Sequence, residues 1–225
     1  MKKEKGAGKD KTNKKYKAII FDLDGTLINS MPYHELAFKD LLLEHRIRID
    51  EKHLRKLLGL STRLILKNLK KKHKFKENID DLREERRYHY FKFLGTKNIV
   101  FPGVMKKLCQ LRLNYKLAIA TGSSRVTYEH STDADFKELF DVVVTINDVK
   151  KERGKPLPDQ LLLVARKLKT RPRDCLMIGD SIYDGLAAKR AGMDFIGVLT
   201  GYTSKKQLMK DKPISILKSV KDLKI

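Results

Sequence analysis

The sequence predicts an α/β protein: a Rossmann-like, doubly wound parallel sheet into which an α-helical cap is inserted. Two observations carry this. Short apolar runs alternate with helical spacing across residues 97–225, and such alternation requires parallel strands joined by crossover helices. Between the first strand-like run and that region, residues 32–94 show helical spacing alone. The chain therefore divides into a core of residues 16–31 and 97–225 and a cap of residues 32–96.

Taken in order, residues 1–15 are lysine, glycine and polar residues with almost nothing to bury, which predicts a disordered basic tail. Order begins with Tyr16-Lys17-Ala18-Ile19-Ile20-Phe21, a buried strand that runs into acidic residues and a tight loop at Gly25. In the cap, Leu36, Leu41, Leu42 and Ile47, then Leu54, Leu57 and Leu58, then Leu64, Ile65 and Leu69 recur at intervals of three and four. Breaks fall near Asp50 and Gly59, so the block reads as a small helical bundle. Further strands are predicted at 116–120, 141–145, 175–178 and 195–199, and helices at 103–112, 158–168 and 183–191. Ligands of such a sheet are expected at the carboxyl ends of its strands.

With 225 residues, 41% apolar and 35% charged, the composition is that of a soluble globular protein. No run approaches the ~18 apolar residues of a membrane span, and no apolar signal core follows the lysine-rich start. A cytoplasmic monomer without membrane contact is expected. Cys109 and Cys175 read as two buried thiols in a reduced compartment, not as a disulfide framework or a zinc site.

The formal charge of +22 is concentrated in residues 1–17, 52–76 and 201–225. Residues 52–76 alone hold ten basic side chains and no acidic one. A polyanion-binding surface would look like this, and charge alone leaves nucleic acid open as a partner. Sparse aromatic residues and the lack of any nucleic-acid-binding motif favour solvated faces instead.

Four polar signals sit where four apolar strands end. Asp22-Leu23-Asp24-Gly25-Thr26 follows the first strand, and two carboxylates so close need a cation or a proton between them. Ala120-Thr121-Gly122-Ser123-Ser124 offers a hydroxyl and backbone N–H groups at the start of a helix, which suits a phosphate. In Gly154-Lys155-Pro156-Leu157-Pro158-Asp159 the glycine and prolines fix the backbone around one ammonium, able to neutralise a phosphoryl oxygen. Ile178-Gly179-Asp180-Ser181-Ile182-Tyr183-Asp184 adds two carboxylates four residues apart, natural ligands for a hard cation. Each alone reads as a turn, a cap or a solvated lysine. Nothing about turns or caps requires all four to converge.

In these four motifs the sequence resembles the haloacid dehalogenase superfamily over residues 16–223, and the helical insertion after the first motif resembles that family's cap. Within it, residues 154–159 and Ala187-Ala188-Lys189-Arg190-Ala191-Gly192-Met193 resemble the branch of phosphoglycolate, glycerol-phosphate, sugar-phosphate and pseudouridine-phosphate phosphatases and β-phosphoglucomutase. The resemblance implies a Mg2+-dependent phosphatase that acts on a small phosphorylated metabolite. Asp22 would be the nucleophile and Asp24 the general acid and base. Thr121, Gly122 and Lys155 would hold the phosphoryl oxygens. The metal would be bound by the Asp22 carboxylate, the Asp24 backbone carbonyl and Asp180, with Asp184 binding through water or orienting Lys155.

The second aspartate, Asp24, marks the phosphotransferases of the superfamily and disfavours dehalogenase chemistry. Two alternatives stay open. A phosphosugar mutase like β-phosphoglucomutase also has a histidine at the place of His34, but its cap carries a lysine just before the cap glycine and an arginine three residues after it. Here Leu58 precedes Gly59 and Thr62 holds the arginine's place, with Arg63 one residue away. His34 and Arg63 are accordingly the candidate specificity residues. The other alternative is a catalytically weak protein of the same fold that binds nucleic acid through its basic surface.

Overall fold

A computed structural model describes residues 16–225, so the predicted tail at 1–15 lies outside the described residues. In chain order the elements are β1 (Ala18–Phe21), α1 (Met31–Glu44), α2 (Glu51–Leu57), α3 (Thr62–His73), α4 (Ile79–Leu94), α5 (Val104–Arg112) and β2 (Lys116–Ala120). They continue with α6 (Arg125–Ser131), α7 (Ala134–Lys137), β3 (Val142–Val144), α8 (Asp159–Lys167), β4 (Cys175–Gly179), α9 (Ile182–Ala191), β5 (Asp194–Val198), α10 (Lys205–Leu208) and β6 (Ser215–Leu217).

The strands form one sheet in the order β3-β2-β1-β4-β5-β6, and every neighbouring pair is parallel. Because successive side chains of a strand point to opposite faces, the buried run of β1 feeds two cores. Ile19 and Phe21 join Ile119, Ile178 and Ile196 on one face, while Ala18 and Ile20 join Ala118, Ala120, Met177 and Phe195 on the other. Strand order reverses between β1 and β4, which opens a crevice at their carboxyl ends. Asp22 and Asp180 are the residues that immediately follow those two strands.

Helices α1 to α4 supply a third apolar cluster, with Phe38, Leu41, Leu42, Leu54, Ile65, Leu66, Leu69 and Leu82 at its centre. The second half of α4 leaves that cluster: Tyr90 and Leu94 pack in the core with Ala37 of α1. Several contacts tie the helical block to the rest of the chain, three of them near its edge. Tyr202 donates to Glu35 at 2.7 Å, Tyr183 donates to the Lys56 carbonyl at 2.9 Å, and Lys67 pairs with Glu152.

The structure departs from the sequence reading in four places. Leu36 is 44% exposed although its spacing marked it as core, because α1 turns His34 and Glu35 inward instead. Cys109 is exposed, since on α5 the buried stripe is Val104, Leu108 and Leu111 and the next position rotates to solvent. An unpredicted break separates α3 from α4 at Lys74, which takes the left-handed conformation while Lys70 donates to the Lys76 and Glu77 carbonyls. Finally, β6 is a partly exposed three-residue edge strand preceded by Pro213, too short to show alternation. No helix among the described residues is long and apolar enough to cross a membrane.

Candidate active site

The loop after β1 folds back on itself: the N–H groups of Thr26, Leu27 and Ile28 all donate to the Leu23 carbonyl. Gly25 allows this turn through a positive φ of 77°. The turn places Asp22 and Asp24 in different surroundings although they are two residues apart.

Asp22 is buried, and its Oδ1 accepts from the Leu23 N–H at 2.8 Å and meets Lys155 Nζ at 2.7 Å. Lys155, 2% exposed, also donates to Asp184 Oδ1 at 2.6 Å. The other oxygen of Asp184 is held by the N–H and hydroxyl of Ser181, in a capping box that starts α9. Asp184 thus positions the ammonium and α9 positions Asp184. Burial raises the Asp22 carboxyl well above its ordinary range; Lys155 opposes this, and Asp184, Asp180 and Asp24 add to it. Burial pulls the Lys155 ammonium down, but Asp184 and Asp22 outweigh it and hold it above the usual lysine value.

Asp180 completes a buried triad: one carboxylate oxygen from each of Asp22, Asp180 and Asp184 lies within 4.8 Å of the others. Asp180 Oδ1 accepts from Thr26 at 2.8 Å. Burial and the charge of Asp184 push its carboxyl up to about 7. Gly201 faces it so closely that a Cβ there would come within 1.7 Å of Oδ2. Three buried carboxylates with one ammonium leave excess negative charge and oxygen donors only, which fits a hard divalent cation.

Asp24 turns the other way. Its Oδ1 accepts from Ser30 at 2.7 Å and from His34 Nε2 at 2.9 Å, and its Oδ2 from Ser123 at 2.7 Å and Thr121 at 3.2 Å. Burial raises this carboxyl, but His34, Ser30 and Ser123 outweigh it and hold it below the usual carboxylate range. Thr121 is fixed from behind, since Gln160 donates to its carbonyl at 2.6 Å and its own hydroxyl accepts from the Ser123 N–H at 3.0 Å. Gly122 lies against Ser61, where α3 begins, at the seam between the helical block and the sheet.

His34 faces inward from α1. It is buried, stacked on Tyr90 with ring centroids 4.3 Å apart, and bonded to Arg86 through Nδ1. A guanidinium only donates, so Nδ1 must accept and Nε2 carries the proton given to Asp24. Burial and the Arg86 charge lower the His34 pKa, consistent with a neutral ring. Arg63 lies farther out: it pairs with Asp80 and lines a cavity of about 260 Å³ beside the catalytic cleft.

The structure therefore brings Asp22, Asp24, Thr121, Lys155, Asp180, Asp184 and His34 into one cleft, with Arg63 at its outer cavity. Sequence reasoning missed Arg86 and Ser30, and it placed Thr26 and Ser123 in the strand-end motifs without giving either a role. For Arg86 a signal existed: with Leu82 and Tyr90 it forms an i, i+4, i+8 stripe on α4, so a charge stands at a core-facing position.

Residues 19–198 match the family described as haloacid dehalogenase-like hydrolase. The chain is 31% identical over 183 residues to the bifunctional riboflavin kinase/FMN phosphatase of Arabidopsis thaliana, covering 80% of this chain but only 48% of that protein. It is also 31% identical over 196 residues to the β-phosphoglucomutase of Bacillus subtilis, covering 82% of this chain and 84% of the mutase. Among solved structures, a hydrolase from Pseudomonas syringae superposes with a TM-score of 0.82 at 30% identity, over 92% of this chain and 95% of that one. With four-fifths of its length aligned, this chain belongs to the haloacid dehalogenase-like hydrolase family.

Proposed function

We propose that this protein is a magnesium-dependent phosphatase that removes phosphate from a small phosphomonoester through a phosphoryl group carried on Asp22. The observation that carries it is the opposed setting of two neighbouring carboxylates. Asp22 is raised by burial and faced by Lys155, whereas Asp24 is lowered among four donors. What divides their work is position: Asp22 sits beside the Lys155 ammonium and the candidate metal ligands Asp180 and Asp184, whose cation would favour the ionised nucleophile, whereas Asp24 turns away to hydroxyl and imidazole donors, which suits acid–base work.

Asp22 attacks phosphorus and the leaving oxygen departs on the opposite side. Lys155 neutralises charge that builds on the phosphoryl oxygens, and the Thr121 hydroxyl, turning from Asp24, and the Gly122 N–H would donate to them. The lowered pKa of Asp24 favours its ionised form, the form that takes a proton from the attacking water. A phosphoryl dianion beside it supplies like charge, which raises its pKa toward the protonated form needed to donate to the leaving alkoxide. His34 holds the carboxylate in place through both steps.

Asp22, Asp180 and Asp184 would hold Mg2+ with the Asp24 carbonyl, and when bound it would supply positive charge against the phosphoryl oxygens. Helices α1 to α4 serve as the cap that shields the cleft, and the protein works as a cytoplasmic monomer without nucleic acid. Part of the basic stretch is already occupied, since Arg55 pairs with Glu35, Arg63 with Asp80 and Lys67 with Glu152.

Phosphate release from an aryl phosphate tests this reading, with Mg2+ and with excess chelator. Release should require the metal; undiminished release in chelator would sink it. The likeness to β-phosphoglucomutase gives the second reading, phosphoryl transfer to a sugar. Conversion of β-glucose phosphate to its isomer with little free phosphate would favour it.

A further inference from the structure

Outside the active site, a second group of metal-type ligands stands where α1 packs on α4. Ligand atoms of Glu44, Glu85 and His89 all lie within 4.8 Å of one another. Asp40 and Glu44 are one turn apart on α1, and Glu85 and His89 one turn apart on α4, so each helix presents its pair on a single face. Two helices that each supply such a pair can enclose a cation between them.

The histidine decides what this group is for. His89 is 3% exposed, and its ring spans the two acids of α1: Nε2 meets Glu44 Oε2 at 3.1 Å, and Nδ1 lies 3.3 Å from Asp40 Oδ2. The second contact is not a hydrogen bond, which leaves Nδ1 a buried polar atom without one. A neutral imidazole carries one proton, so it satisfies one nitrogen and turns the lone pair of the other toward a carboxylate. Charge is mismatched as well. His45 Nε2 holds Glu85 at 2.8 Å, and its Nδ1 is 3.7 Å from Glu77. The ion-pair partners of Asp40, Glu44 and Glu85 among the described residues are these two histidines alone.

A divalent cation removes both mismatches. Held by Nε2, Glu44 and Glu85, it takes the place of the ring proton on that side, and the proton on Nδ1 then faces Asp40. The Asp40 side chain is half-exposed, so a small rotation of its carboxylate turns the 3.3 Å contact into a hydrogen bond. A carboxylate behind a ligating imidazole fixes its tautomer and direction, and His45 does the same for Glu85. One imidazole nitrogen with two carboxylate oxygens suits a first-row transition ion such as Zn2+, whereas Mg2+ prefers oxygen ligands in a near-octahedral set. The all-oxygen triad of Asp22, Asp180 and Asp184 has the opposite preference.

From this geometry we infer that Glu44, Glu85 and His89 form a second metal site, for Zn2+ or a similar transition ion, oriented by Asp40 and His45 and clamping α1 to α4. The inference stands apart from the phosphatase reading, since none of these five residues belongs to the catalytic cleft.

Calorimetric titration of Zn2+ into the full chain, in excess Mg2+, tests it. The Asp180→Asn protein serves as the background, because its catalytic triad is broken. It should bind one equivalent of Zn2+. Adding Glu44→Gln/Glu85→Gln should weaken that binding by about a hundredfold or more, and adding Asp40→Asn by about 10–100-fold, the loss typical of a group that orients a ligand. These acids are partly exposed, so their variants keep the fold, which circular dichroism checks. Zn2+ should also raise the melting temperature of the background protein and leave that of the Glu44→Gln/Glu85→Gln protein unmoved. If the group is an ion-pair network only, with a protonated His89 between Asp40 and Glu44, the background protein binds no equivalent of Zn2+, and that result overturns the inference. A Zn2+ affinity that survives Glu44→Gln/Glu85→Gln overturns it too, by placing the ion elsewhere.

Discussion

Asp180→Asn should stabilise the metal-free protein, although it removes a candidate metal ligand. Asp180 is 3% exposed, and burial with the charge of Asp184 pushes its carboxyl up to about 7. An unfolded aspartate ionises near ~3.9, so about three pH units separate the two states, each worth ~1.36 kcal/mol. The sign follows from the raised folded pKa: the ionised group costs nothing below about pH 4, and the cost grows until it levels off above about pH 7. Fully ionised, Asp180 therefore penalises the metal-free fold by about 4 kcal/mol, reduced by whatever water or relaxation the site admits. Asparagine has the same shape and retains an oxygen for Thr26, which donates to Asp180 at 2.8 Å. Urea unfolding in chelator should show the variant more stable by about 2–4 kcal/mol near pH 8, with the gap shrinking to about 1 kcal/mol near pH 5. Mg2+ at ~1,000 times its Kd should close or reverse the gap near pH 8, since it then adds ~4.1 kcal/mol to the protein that binds it. A variant less stable than wild type near pH 8 in chelator, or a gap that ignores pH, would refute the argument.

Three further outcomes follow from the same site. Lys155→Met strands two buried carboxylates, Asp22 and Asp184, so it should cost about 3–5 kcal/mol in urea unfolding near pH 8 and less at acid pH, where Asp22 takes a proton. Gly201→Ala puts a Cβ against Asp180 Oδ2, and Mg2+ affinity by titration calorimetry should weaken about 10–100-fold. In Arg86→Lys the bond to His34 Nδ1 is no longer fixed by a planar guanidinium. The acid limb of the kcat/KM profile should then move relative to wild type; an unmoved profile would deny Arg86 a positioning role through His34.

The sequence shows the sheet and its polar strand ends because both are local signals. Buried parallel strands such as Lys116–Ala120 read as apolar runs, and β1, β2 and β4 are followed at once by Asp22, Thr121 and Asp180. Local spacing fails where tertiary geometry decides. Leu36 looks like core by its spacing, yet α1 presents His34 and Glu35 inward to meet Asp24, Arg55 and Tyr202. Arg86 joins the site from 62 residues beyond Asp24, across the seam between two clusters, and no short motif contains both. The short edge strand Ser215–Leu217 is held by its register against Ile196, Gly197 and Val198, a pairing its own composition does not announce.

The most direct test of the central claim is to trap the phosphoryl group on the nucleophile. Protein turning over an aryl phosphate in Mg2+ is quenched in acid, digested and weighed by mass spectrometry. The peptide that contains Asp22 should carry the mass of one phosphoryl group, removed by hydroxylamine and missing from Asp22→Asn protein, whose turnover should fall by on the order of a thousandfold or more. An unmodified Asp22 peptide during rapid turnover, together with an Asp22→Asn protein that keeps the wild-type rate, would contradict the account.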